Sequence, residues 1–345
     1  MFPDSIFAAP GLRVLTCAIV ALIASAAILW TLLKTGLAWR LATDIPNDRS
    51  LHTRPTPRVG GWGIVPVVVI LTLGVAPGLA PPVLAAMSLA ILSQIDDRRG
   101  LPARVRFGGH VAAVAVLLVT FPVDIPWWAL VLVGVLLVWL VNLYNFMDGA
   151  DGLAGGMAVF GFGAYSIASL AADHTNLSFA LACSAVTGAA AGFLFFNFHP
   201  AKIFLGDVGS IPLGFLAGAF GYWGWRSGIW PVWFPAVVFS PFISDASVTL
   251  LKRLLRGEKF WQAHREHYYQ RMVQSGLGHA NTARIWYMFM IVGILFAFCA
   301  EALRPGWQWL VVALWGVVLV LAGVCVDLRW RRYIARLNNP EVLRK

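Results

Sequence analysis

Two runs in this chain carry residue types suited to phosphate and metal chemistry. One reads Asn142-Leu-Tyr-Asn145-Phe-Met-Asp148-Gly149-Ala-Asp151-Gly152. The other reads Asn197-Phe-His199-Pro200-Ala-Lys202-Ile-Phe204-Leu-Gly206-Asp207-Val-Gly209-Ser210. Magnesium takes oxygen ligands, usually one or two carboxylates completed by substrate phosphates and water. Asp207 sits between Gly206 and Gly209 at the predicted start of a helix, where backbone N–H groups favour anions. A plain N-cap would look the same. Gly149 and Gly152 let backbone approach a ligand closely.

Three further motifs add candidates. Asp96 and Asp97 are adjacent, so repulsion either raises one pKa and makes a base or is absorbed by Arg98 and Arg99 in a solvated loop. The run Arg49-Ser-Leu-His52-Thr-Arg-Pro55-Thr56-Pro57-Arg58-Val-Gly60-Gly61 is basic and glycine-ended. His264 and His267 in His264-Arg265-Glu266-His267 share one face if that stretch is helical. Zinc would need a third ligand that no other Cys or His cluster supplies, so hydrogen bonding to a diphosphate or sugar is the better reading. Lys202, Arg104 and Arg265 are candidate clamps on phosphoryl oxygens, although each singly also reads as a membrane-surface anchor. Asp245, seven residues before Lys252, either orients a site residue or pairs with a base.

These residues must be positioned by membrane helices. The chain has 345 residues, 59% hydrophobic and only 12% charged, with a mean hydropathy of +0.75. That excludes an ordinary soluble domain. A bilayer core calls for about 20 apolar residues per helix. Eleven spans follow, near 12–34, 60–79, 82–95, 108–122, 126–144, 152–171, 177–197, 208–223, 229–251, 284–303 and 307–328. All Lys and Arg except Arg13, Arg226 and Arg304 fall in the connections 34–59, 96–107, 198–207 and 252–284 or in the tail 329–345. Basic loops stay cytoplasmic, which places the N-terminus in the periplasm, the C-terminus in the cytoplasm and every polar motif on the cytoplasmic face. Trp127, Trp128, Trp223, Trp225, Trp230, Trp307 and Trp309 then form an outer aromatic belt. The net charge of +10 therefore marks membrane topology and not nucleic-acid binding. Cys17, Cys183, Cys299 and Cys325 read as small apolar residues. The fold class is an all-α integral membrane protein with 1–345 as a single domain. The 252–284 connection would cover the site, and 329–345 would be a basic tail. A charged group near a bilayer core costs about 2.5–3.5 kcal/mol, so clustered carboxylates here imply function.

At these motifs the chain resembles the polyprenyl-phosphate N-acetylhexosamine-1-phosphate transferases, over residues 44–275. Family members carry the Asp-Asp pair, here Asp96-Asp97. They carry Asn-x-x-Asp-Gly-x-Asp-Gly, here Asn145, Asp148, Gly149, Asp151 and Gly152, and Phe-x-Gly-Asp-x-Gly-Ser, here Phe204, Gly206, Asp207, Gly209 and Ser210. The resemblance implies Mg2+ on Asp207 and Asn145, with Mn2+ able to substitute. It implies uracil stacked on Phe204, Asp151 near the nucleotide and the His264–His267 loop over the sugar diphosphate. Catalysis is assigned to Asp96, Asp97, Asp148 and Asp151. Substrate binding is assigned to Phe204, Lys202, Arg104, His264, Arg265, His267 and Arg58. The loop spacing departs from the usual His-x-His-His and looks more like the O-antigen-initiating branch, which uses N-acetylated 6-deoxyhexosamines such as N-acetylfucosamine or N-acetylquinovosamine.

The expected activity is transfer of an N-acetylhexosamine 1-phosphate from a UDP-sugar to undecaprenyl phosphate, at the cytoplasmic face of a bacterial inner membrane, starting O-antigen or a related envelope polysaccharide. Single displacement and a covalent Asp intermediate are both compatible with the motifs. Membrane lipids are expected partners, nucleic acid is not, and a homodimer is open. The rival class is a transporter or flippase, whose site would lie near mid-membrane. The orientation is checked by thiol labelling in a background lacking the four native cysteines. Ser227→Cys should react with an impermeant reagent from the periplasm and Asn338→Cys only from the cytoplasm. The opposite pattern inverts the topology.

Overall fold

The computed structural model describes residues 9–46, 51–172, 174–259, 262 and 264–338. Each of the eleven predicted segments lies on helix. The chain is an all-α integral membrane protein with several crossings. Among the described residues, eight helices are long and apolar enough to cross a bilayer by length and composition. These include α1 (Pro10–Lys34), α5 (Ala103–Thr120), α6 (Trp127–Phe146), α7 (Leu153–Ala171), α8 (Leu177–Asn197) and α14 (Pro305–Leu337), with α2 (Leu37–Leu41) a short turn after α1. The shorter α3 (Gly60–Val75) precedes α4 (Ala80–Arg99).

Helix α9 (Asp207–Arg226) is the centre of the bundle. It is buried along almost its whole length, from Val208 to Gly224, against α3, α4, α6 and α7. Surrounded by protein, it can carry small and polar residues that lipid contact would penalise. Gly214 permits this packing, because a Cβ there would lie 2.7 Å from Tyr144 Cβ and 3.1 Å from the Leu140 carbonyl, the close approach that small residues allow between membrane helices. The outermost helix behaves oppositely. Only 6% of the most apolar window of α14 is buried, against 72% for α7.

The two ends of the bundle differ in chemistry. At one, Tyr222 Oη donates to the Phe121 carbonyl at 2.6 Å and Arg226 Nε to that of Pro122 at 3.0 Å, close to Trp223 and Trp225. The other end gathers the start of α9, the end of α6, and non-helical backbone. There β1 (Thr43–Asp44) pairs antiparallel with β2 (Thr56–Pro57). Phe204 N–H donates to the Pro57 carbonyl at 2.8 Å, and Gly60 N–H to that of Phe204 at 2.9 Å. Extended backbone at the membrane edge must find partners in protein, and these bonds supply them. Two-residue strands have too short a period to show in sequence.

Three boundaries differ from the sequence reading. The ninth segment breaks into α10 (Trp233–Val238) and α11 (Ser240–Leu255), because Pro241 at the first turn of α11 has no N–H to continue the preceding helix. The connection after α11 is shortened by α12 (Tyr268–Met272) and by α13 (Gly278–Glu301), which starts six residues before the predicted 284. Helix α14 continues through Leu337, so the first half of the predicted tail is helix; its remainder, 339–345, lies outside the described residues, as does Arg49.

Gly188 on α8 tests the packing. A Cβ there would collide with the backbone carbonyl of Ala18 on α1, whereas Gly74 faces open space. Gly188→Ala should lower stability by about 1–3 kcal/mol, the usual cost of overpacking, seen as a fall in Tm in detergent. Gly74→Ala should leave Tm nearly unchanged.

Candidate active site

The polar end of the bundle encloses a cavity of about 360 Å³. Six sequence-predicted residues line it: Arg58, Asn145, Asp148, Asp151, Phe204 and Asp207. They arrive from four directions. Asn145 ends α6, Asp148 and Asp151 form the turn into α7, Asp207 opens α9, and Arg58 with Phe204 sit on the paired extended segments. Gly206, at φ +70°, turns the chain into α9. A Cβ there would press within 3.1 Å of the Arg58 carbonyl, so the position requires glycine.

Charge is the main feature of this cavity. Arg58 Nη2 donates to Asp97 Oδ1 at 3.2 Å, and its Nη1 lies 4.0 Å from Asp44 Oδ1. Burial pushes the Asp148 carboxyl well above the usual carboxylate range, and the neighbouring Asp207 adds to the push. The Asp97 and Asp207 carboxylates are close enough to repel each other, and among the described residues Asp97 Oδ2 is buried without a hydrogen-bond partner. Asn145 Oδ1 accepts from Ser210 Oγ at 2.7 Å and keeps a second lone pair. This set of hard oxygen donors, short of positive charge, fits a divalent cation of the magnesium type. Among the described residues no three His, Cys, Asp or Glu converge into a closed metal cage; magnesium needs only one or two carboxylates beside phosphates and water.

A second group fixes the Asp151 turn. Asp151 Oδ2 accepts from His199 Nδ1 at 2.6 Å and from Ala201 N–H at 3.2 Å. Gly152, at φ +78°, donates its N–H to Asn197 Oδ1 at 2.9 Å and accepts from Tyr287 Oη at 2.7 Å. His279 Nδ1 accepts from Asp151 N–H at 3.2 Å, so its Nε2 carries the proton and donates to the Leu51 carbonyl at 3.2 Å. His279 thereby ties the segment before β2 to the turn before α7.

The other predicted residues do not line the cavity. Asp97 stands behind Arg58. Asp96 accepts from Leu101 N–H at 2.6 Å and from Arg106 Nη1 at 3.1 Å. Arg104 and Lys202 are exposed. Arg265 is half-buried, its carbonyl accepting from Gln274. His264 packs its ring 4.8 Å from that of His267; burial first, then the neighbouring His267 and Arg253, pull its pKa down to about 4, so it is neutral at physiological pH. His267 is buried, stacked on Phe146 and Tyr269. Its Nδ1 meets Asp245 Oδ1 at 3.3 Å. Asp245 also accepts from the N–H groups of Tyr268 at 2.8 Å and Tyr269 at 3.0 Å, which settles its role: it caps α12.

Asp44, His52, Asn197, Gln270 and His279 line the cavity without having been assigned to it from sequence. His52 sits in the basic run and Asn197 opens the second carboxylate run, so proximity to a motif was their signal. His279 follows Gly276-Leu-Gly278, a helix start. Asp44 carried no signal.

Residues 79–224 match the family described as Glycosyl transferase family 4, a stretch that takes in Asp96 to Asp207 and stops before the connection after α11. The chain is 27% identical over 306 residues to the probable undecaprenyl-phosphate N-acetylglucosaminyl 1-phosphate transferase of Bacillus subtilis, covering 83% of this chain and 84% of that protein. It is 32% identical over 332 residues to the decaprenyl-phosphate N-acetylglucosaminephosphotransferase of Mycobacterium tuberculosis, covering 80% of each. It is 34% identical over 190 residues to the phospho-N-acetylmuramoyl-pentapeptide-transferase of Geobacillus kaustophilus, covering 46% of this chain and 58% of the relative.

The His279 strut is open to test. His279→Ala strands the Asp151 N–H and the Leu51 carbonyl, and an unsatisfied buried group costs about 1–3 kcal/mol. Tm should fall accordingly in His279→Ala, and less in His279→Gln, whose amide can donate and accept.

Proposed function

We propose a specific reaction for this chain, which belongs to the polyprenyl-phosphate N-acetylhexosamine-1-phosphate transferases and is a sugar-1-phosphate transferase: it moves an N-acetylhexosamine 1-phosphate from a UDP-sugar to undecaprenyl phosphate. The observation that carries the reading is the cavity in which Asp148, Asp207 and Asn145 face Arg58 and Phe204. An oxygen of the lipid phosphate bonds to the β-phosphorus of the donor. The bond from that phosphorus to the bridging oxygen breaks, and UMP leaves with the electron pair. One pyrophosphate linkage replaces another, so the equilibrium is close to balanced.

The protein's part is to hold two anions together. Asp207, Asp148 and Asn145 would hold Mg2+, or Mn2+ in its place, which neutralises phosphate charge when bound. Arg58, already turned toward the cavity by Asp97, supplies guanidinium N–H donors to phosphoryl oxygens. Phe204, part-buried with the His52 ring at its edge 4.7 Å away, offers a face to uracil, and the Asp151 turn lies beside it for the nucleotide. The acceptor's second phosphate pKa is about 6, so it is mostly dianionic at neutral pH and needs no strong base. Asp96, held by Arg106 and Leu101 N–H, therefore serves position. His264, Arg265, His267, Lys202 and Arg104 do not form the cavity wall.

Orientation follows the basic loops: eleven spans, the site at the cytoplasmic face of a bacterial inner membrane, and a product that starts O-antigen or a related envelope polysaccharide. UDP-N-acetylglucosamine is the leading donor, supported by the names of the relatives. The His264–His267 spacing supports UDP-linked N-acetylfucosamine or N-acetylquinovosamine as the second.

Purified protein should release UMP from one of these donors only when both undecaprenyl phosphate and Mg2+ are present. A transporter would release none. Asp207→Asn keeps size and removes charge; turnover should fall at least about a hundredfold, equivalent to about 2.7 kcal/mol at 1.36 kcal/mol per tenfold, with Tm retained. Near-normal turnover of the variant at limiting Mg2+ overturns the metal assignment.

A further inference from the structure

A second cavity, of about 630 Å³, opens between α11, α13 and α14 and shares no lining residue with the first. Its walls are apolar, with Val248, Trp286, Phe289, Leu319 and Val320 prominent. On α14 it runs from Gly316 to Asp327, about 16 Å at 1.5 Å per residue. Gly316 and Gly323 keep it open. A Cβ at Gly316 would meet nothing within 4 Å, and one at Gly323 would only touch Tyr268 at 3.4 Å.

The mouth of this groove is charged. Lys252 Nζ donates to Asp327 Oδ2 at 2.5 Å and to Tyr268 Oη at 2.6 Å, and Arg271 Nη1 donates to Asp327 Oδ1 at 2.9 Å. Lys252 and Arg271 thus share Asp327, Arg271 Nη2 also lies 3.7 Å from Glu266 Oε2, and Asp245 lines the groove with Lys252. Immediately beyond Asp327, α14 presents the exposed Arg329, Arg331 and Arg332 beside the ring pair Trp330–Tyr333, 5.5 Å apart. Aromatic and basic residues together mark the headgroup level of a bilayer, and such basic clusters attract anionic lipid.

We propose that this groove holds one acyl chain of an anionic phospholipid, with its headgroup phosphate against the Arg329–Arg332 collar beside Lys252. An apolar slot that ends beside the exposed Arg329, Arg331 and Arg332 at headgroup level matches a chain joined to an anion. The occupant is a phospholipid and not the prenyl acceptor, because α12 closes the mouth from the cavity of Asp148 and Asp207. Asp245 binds the α12 backbone, and Tyr269 reaches across to donate to the Phe146 carbonyl at 3.0 Å. The lipid would in turn steady α12. Tyr268 lines the groove, while the adjacent Tyr269 places its hydroxyl where a Gly149 Cβ would be.

The test is a binding measurement, independent of the transferase reading. Full-length protein purified in mild detergent is assayed for retained lipid by mass spectrometry, and its Tm is measured with phosphatidylglycerol or phosphatidylcholine added. The wild type should retain phosphatidylglycerol and be raised in Tm by it and not by phosphatidylcholine. Gly316→Leu fills the groove without a backbone clash; retained phosphatidylglycerol should fall about tenfold, equivalent to about 1.4 kcal/mol, and the Tm rise should vanish while the lipid-free Tm holds. The double variant Arg331→Gln, Arg332→Gln keeps the slot but should lose the preference for phosphatidylglycerol over phosphatidylcholine. Unchanged retention in Gly316→Leu overturns the proposal. So does undecaprenyl phosphate displacing the retained lipid, which assigns the groove to the acceptor, or loss of a dimer with no loss of lipid, which makes it a subunit interface.

Discussion

The carboxylates of Asp44, Asp97, Asp148 and Asp207 act on one another around the guanidinium of Arg58, with Asp96 and Arg106 also acting on Asp207. At the edge of a bilayer such an excess of negative charge is costly unless something positive completes it. Arg58 offsets only part of it. The cavity is therefore poised for a cation, and a cation held by few protein oxygens brings phosphates with it. On the proposed reaction, that electrostatic deficit is what lets a mostly acidic site take anionic substrates.

Much of the surrounding backbone exists to hold Arg58 and Asp207 in register. The Phe204 and Gly60 hydrogen bonds staple the segment carrying Arg58 to the segment leading into α9. Gly206 provides a turn that a side chain would strain. Gly61 lets α3 lie directly on the first turn of α9, where an added Cβ would collide with the Val208–Gly209 peptide. Helix α9, buried almost throughout from Val208 to Gly224, then delivers Asp207 at its first turn.

Helix α12 separates a polar cavity from an apolar groove and touches both. Gln270 lines the first and Tyr268 the second. Its five residues are too few to be stable alone. It is held by the buried carboxylate of Asp245 at its N-terminus and by the Lys252, Arg271 and Asp327 ion pairs on its outer side. Small displacements of this turn bear directly on the Asp148–Asp151 loop through Tyr269.

The sequence by itself determined the membrane class, the helical segments and the residue types gathered in the motifs. Long apolar runs and clustered carboxylates are local properties, legible without coordinates. It also placed Arg58, Asn145, Asp148, Asp151, Phe204 and Asp207 in one cavity, because each belongs to a compact motif at a helix end. Tertiary structure alone decided which neighbours complete that cavity. Asp44 and His279 reach it from opposite ends of the chain, and no spacing rule links residues that meet only by helix packing. It also decided that His267 and Asp245 build α12, that Asp96 rests on Arg106, and that the break at Ser240–Pro241 sends α11 out along the apolar groove. Those outcomes depend on which hydrogen bonds and burials close in three dimensions, and a linear pattern carries no record of them.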